Sequence, residues 1–103
     1  MKTLALVVLL TAISSFELAS AATPTALQLK GANLQPQAKI SLKSAQTKAL
    51  TKEPGVIVDQ ELEREAGGLR YSFDIKVGNV VHEVGIDAST GKVLEDSIDT
   101  GND

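Results

Sequence analysis

The sequence predicts an α+β domain, with one helix packed on a three- to four-stranded antiparallel meander. Three observations carry this prediction. One segment places apolar residues at helical spacing. Three later segments alternate apolar and polar residues at period two. Short glycine-containing linkers join those segments.

The helix is read in "ISLKSAQTKALTKEPG". Ser41 is its N-cap, a side chain suited to accept an orphan backbone N–H. Leu42, Ala45, Ala49 and Leu50 form one buried stripe. Two alanines in that stripe let the helix lie close to a sheet. Lys43, Lys48 and Lys52 fall outside it and, with Lys39 nearby, make a solvated face, since no bulky membrane-inserting residues accompany them. Pro54-Gly55 ends the helix.

Three strands follow, at residues 56–65, 69–77 and 80–87. The second alternates strictly, placing Leu69, Tyr71, Phe73, Ile75 and Val77 on one face. A two-residue turn at Gly78-Asn79 sets Val77 opposite Val80, Ile75 opposite His82, Phe73 opposite Val84 and Tyr71 opposite Ile86. A two-residue turn at Gly67-Gly68 sets Leu62 opposite Phe73 and Val58 opposite Val77. The resulting apolar face is broken mainly by Gln60 and Arg64. A one-residue slip of that first hairpin would turn Glu61 and Glu63 into the core, at high cost. "KVLE" then forms a short fourth strand or a cover over the sheet's edge.

The chain has 103 residues, which favours one domain. Residues 1–21 read as a Sec-type signal peptide. Lys2 gives a basic start, an apolar run spans 4–13, and Ala19-Ser20-Ala21 is a small-x-small cleavage site. Cleavage is expected after Ala21, with Ala19 and Ala22 as alternative ends. The apolar run is too short to span a bilayer, so no stable membrane insertion is expected after cleavage. Residues 22–39 read as a flexible arm or linker, punctuated by Pro24, Gly31 and Pro36, with a local helical turn at "TALQLK". Residues 40–96 form the domain, and 97–103 an acidic, frayed tail.

The remaining chain of about 80 residues buries only about 60–65% of its unfolded surface, enough for one modest core. There is no cysteine, so disulfides and an N-terminal lipid anchor are both excluded. A periplasmic or secreted protein is the expectation. The net charge is −3, and outside the signal peptide the aromatic residues are Tyr71 and Phe73. Neither feature suits nucleic acid, which needs basic patches or stacking platforms.

No catalytic set is visible. No serine sits in a nucleophile elbow, and His82 is the single histidine, without cysteines to join it at zinc. Its place opposite Ile75 makes it a partly buried packing residue. The turn "DASTG" reads as a corner. Asp87 is placed to accept from the amides of Ser89 or Thr90, and Gly91 can take a positive φ. Its likeness to a calcium loop fails for want of carboxylates, because Ile98 stands where the twelfth-position Glu should be.

On the sheet's outer face the register puts Glu61, Asp74 and Glu83 in one row. Like charges facing one another are destabilising. A divalent cation or a basic peptide segment would meet these three residues. The plainer reading is a solvated face that prevents aggregation, and no metal or cofactor is assigned. The open edge of the first strand, through Val56, Val58, Gln60 and Leu62, is the candidate for partner binding, because edges pair with extended peptides.

Taken in order, "ISLKSAQTKAL", "PGVIVDQELERE", "GGLRYSFDIKV" and "HEVGIDASTGKVLE" resemble the PepSY domain family, the closing "IDASTGKVL" being the most specific part. At Gly85 the chain departs from the bulkier residue common in the family. The resemblance implies a helix on a small antiparallel sheet, no catalytic motif, and a role in restraining peptidases. The leading expectation is therefore an exported, non-enzymatic binding module that modulates or inhibits an envelope or secreted peptidase, the inhibitor role resting on the resemblance alone. Two other readings stay open. One is a periplasmic protein that binds divalent cations or small ligands on its acidic sheet face. The other is an envelope structural or stress-related protein without a discrete ligand.

Overall fold

The computed structural model describes residues 26–101, so the expected signal peptide and its expected cleavage site lie outside the described residues. A short 3-10 helix, Ala32–Gln37, precedes helix α1, Leu42–Lys52. Strands β1, Val56–Glu65, β2, Gly68–Val77, β3, Val80–Asp87, and β4, Val93–Ile98, follow in one sheet of order β1-β2-β3-β4. All neighbouring strands are antiparallel. Among the described residues, no helix is long and apolar enough to cross a membrane.

Helix α1 forms where its stripe predicts. The Ser41 hydroxyl accepts from the Ser44 amide at 3.1 Å. Glu53 ends the helix in extended backbone, as a residue before proline must. Ala45 and Ala49 are fully buried, so the helix backbone lies close to the sheet, with Leu42 and Leu50 packed beside them. The core beneath them centres on Leu62, Tyr71, Phe73, Ile75, Val84 and Ile86. The Tyr71 hydroxyl donates to the Ile40 carbonyl at 2.9 Å, which satisfies the one polar atom this ring carries inward.

The β2–β3 register is the one the Gly78-Asn79 turn dictates, with Val77 opposite Val80 and Tyr71 opposite Ile86. The first hairpin differs. It turns at Ala66-Gly67, so Glu65 faces Gly68 and Leu62 faces Tyr71 rather than Phe73. The offset is two residues. It preserves faces, and Glu61 and Glu63 stay off the core. A bulge between Ile57 and Asp59 then brings Ile57 opposite Ile75. The expectation that Val58 lines the core opposite Val77 is thereby overturned, for Val58 is 45% exposed while Ile57 packs inward.

Residues 26–39 are docked rather than a flexible arm. Lys30 pairs in parallel with Glu61, through Lys30 N–H to the Gln60 carbonyl at 3.1 Å and Leu62 N–H to the Lys30 carbonyl at 2.8 Å. Leu29, Leu34 and Ala38 pack on the core. A Cβ at Gly31 would lie 2.0 Å from the Leu62 carbonyl oxygen, which shows how closely this segment sits on β1. The helical turn expected at "TALQLK" does not form in its described part, which has no regular secondary structure before the bridge at Lys30. At the other end, Ser97 and Ile98 belong to β4, and Asp99 N–H still donates to Val81. The tail expected from residue 97 therefore joins the sheet through Asp99.

Candidate functional site

The corner at 87–92 is a structural turn. Asp87 Oδ1 accepts from the amides of Ser89, at 2.7 Å, and Thr90, at 3.1 Å. These two bonds hold its carboxyl below the usual aspartate range. Gly91 has φ 76°. Ala88, fully buried, donates to Leu69 and accepts from Lys39 and Ile40, so the turn ties the helix approach to the sheet. Asp87 Oδ1 and the Ala88 backbone are thus engaged within the fold.

The outer face of the sheet is organised around Arg70. Its Nη2 donates to Glu95 Oε1 at 2.8 Å, and its Nε donates to Ser72 Oγ at 3.0 Å. Ser72 in turn donates to Glu63. The guanidinium reaches from β2 to β4 by crossing β3 above Gly85. A Cβ there would lie 2.2 Å from Nη2 and 2.5 Å from Cζ. The hydrogen bond from Arg70, and a second from Ser97, hold the Glu95 carboxyl below its ordinary range. The absence of a bulky side chain at Gly85 thus has a physical reason in this chain.

The corrected hairpin register changes the carboxylate row. Asp59, Asp74 and Glu83 now share it, while Glu61 faces Ser72 in the next row. Glu61 still lines the same open depression of about 180 Å³, together with Asp59, Asp74, Glu83 and Asp99. Lys30 enters from the docked segment and pairs with Asp59 Oδ2 at 3.0 Å.

The four edge residues singled out on β1 separate into two pairs. Gln60 and Leu62 are buried, and their outward backbone groups are taken by Lys30. They cannot bind a partner while this segment is docked. Gln60 earns its place on the apolar face because Gln46 donates to its Oε1 at 2.8 Å and its Nε2 donates to the Leu27 carbonyl at 2.9 Å. Val56 and Val58 remain exposed at 65% and 45%.

The opposite edge is the one sequence reasoning passed over. Strand β4 ends the sheet, and among the described residues no strand pairs with its outer side. Asp99 N–H donates to Val81, so by antiparallel alternation Ser97 faces inward and Asp96 and Ile98 turn their backbone groups outward. Leu94 and Ile98 are exposed, at 49% and 61%. The signal for this edge was present in "KVLEDSI", whose alternation is weak because both faces are partly solvated.

A family model described as "Peptidase propeptide and YPEB domain", PepSY, matches residues 39–96. No curated protein and no solved structure matches the chain significantly.

Proposed function

The chain belongs to the PepSY family, and on that premise we propose that it is an exported, non-catalytic binding module that restrains a secreted or envelope peptidase. The site of contact is the outer edge of β4, which takes an extended peptidase segment as an added strand. One observation carries this reading. Asp96 and Ile98 point their backbone N–H and C=O groups out of an unpaired edge, flanked by exposed Leu94 and Ile98 side chains. Main-chain pairing supplies affinity without any catalytic group, and the family's description supplies the class of partner.

Ile98→Pro tests the edge. Proline removes an outward N–H that the domain does not use, so the fold tolerates it as edge strands do. Peptidase binding measured by surface plasmon resonance then falls at least tenfold while the melting temperature stays within a few degrees. Unchanged binding would exclude β4 as the contact. A second reading, cation binding through Glu61, Asp74 and Glu83, has less support. The register separates Glu61 from the row, and the Lys30 ammonium already pairs with Asp59 at its rim.

A further inference from the structure

Two polar side chains interrupt the core face of the sheet near the end of α1. His82 stands between Ile75 on β2 and Ile98 on β4, and Asp96 stands opposite Val84. His82 is half-buried and Asp96 is exposed. Glu53, the C-cap of α1, reaches the same point. The His82 Nδ1 lies 3.5 Å from Glu53 Oε1 and 3.7 Å from Asp96 Oδ1, and the three ligand atoms all lie within 4.8 Å of one another.

These separations are too long for hydrogen bonds, which end near about 3.2 Å. Among the described residues, none of the three side chains is engaged in a hydrogen bond. Around a tetrahedral zinc ion with bonds of about 2.0–2.2 Å, ligand atoms stand about 3.3–3.6 Å apart. The two separations from His82, 3.5 and 3.7 Å, are close to that edge, and the third pair lies within 4.8 Å.

We propose that Glu53, His82 and Asp96 form a binding site for a divalent transition metal of the zinc type. One imidazole nitrogen and two carboxylate oxygens make three ligands, and solvent supplies the fourth. Each ligand rises from a fixed piece of backbone. Glu53 is held by its N–H to the Ala49 carbonyl and by Pro54 behind it, while His82 and Asp96 are held by strand pairing. With histidine neutral the site carries two negative charges, which a divalent cation neutralises. The ion joins α1 to β3 and β4, so binding stabilises the fold. This site is separate from the acidic depression on the other face, and independent of the peptidase reading.

The single histidine of the chain makes the test direct. Untagged protein recovered from cells expressing the full 103-residue chain is titrated with zinc chloride, with the His82 ring followed by NMR and the heat by calorimetry. The ring resonances shift and saturate at one equivalent. The melting temperature rises by about 5–10 °C when free zinc is tenfold above its dissociation constant. Calcium, which seeks six to eight oxygens, binds at least tenfold more weakly. His82→Ala abolishes the heat. Asp96→Asn, at an exposed strand position that leaves the fold intact, weakens zinc at least tenfold. Ring resonances that stay in place through the titration would overturn the site. So would zinc heat that survives Asp96→Asn unchanged, or that is lost only when Asp59, Asp74 and Glu83 are replaced.

Discussion

Gly85→Ala places a methyl group where the Arg70 guanidinium lies. The new Cβ would be 2.2 Å from Nη2, well inside van der Waals contact, so the guanidinium must leave its seat over β3. The loss is its 2.8 Å bond to Glu95 and the alignment of its bond to Ser72. A hydrogen bond to a charged group contributes about 1.5–3 kcal/mol. Glu95 is about a third exposed, so solvent screening places this one near the lower figure. Against that, alanine is better than glycine inside a strand by about 0.5–1 kcal/mol. The net is a destabilisation of about 1 kcal/mol, or about 4–8 °C in melting temperature for a domain of this size.

The assay is thermal denaturation by circular dichroism, in the native and Arg70→Ala backgrounds. Without the guanidinium there is nothing to displace, so Gly85→Ala becomes stabilising and the sign reverses. The same drop in both backgrounds would refute the steric argument. A second readout is acid pH. The Glu95 carboxyl sits below its ordinary 4.5 because Arg70, then Ser97, bonds to it. Its contribution is therefore present above that value and is lost as the pH falls through the folded one. Gly85→Ala weakens this dependence, and the acid limb of its stability curve is shallower.

Two further predictions concern the core and the corner. Tyr71→Phe removes the bond to Ile40 and lowers stability by about 1 kcal/mol. Burial raises the Tyr71 phenol above its ordinary 10.0, so native stability is full below that value and falls as the pH rises toward the folded one. Alkaline melts of the variant lack this fall. Asp87→Ala removes the acceptor for two amides and lowers the melting temperature, while Asp87→Asn keeps an acceptor and retains most of it. The depressed Asp87 carboxyl contributes stability above its ordinary 3.8 that is lost as the pH falls through its lower folded value, and acid melts of Asp87→Asn lack that term.

The parts of the fold that were legible are those with one solution. Gly78-Asn79 allows a single two-residue turn, and the β2–β3 register follows from it. At Ala66-Gly67-Gly68 two such turns fit. They differ by two residues in pairing, so both bury the same side chains and the pattern cannot choose between them. The bulge at Val58 is hidden for a related reason, because "VIV" offers an apolar side chain to the core in either phase. The docked segment at 26–39 has no periodicity to read, since it is held by two backbone bonds at Lys30 and a few scattered contacts. The burial of Gln60 depends on partners in the helix and in that segment. The meeting of Glu53, His82 and Asp96 depends on the β4 register, which "KVLE" alone does not fix.

The most direct measurement of the central claim is inhibition. The protein is titrated against thermolysin-like and endogenous envelope peptidases, and its own cleavage is followed in the same tubes. The account predicts a saturable loss of peptidase activity with the chain intact, reversed by Ile98→Pro. Full peptidase activity across the panel, or inhibition that lasts only while the chain is being digested, would contradict it.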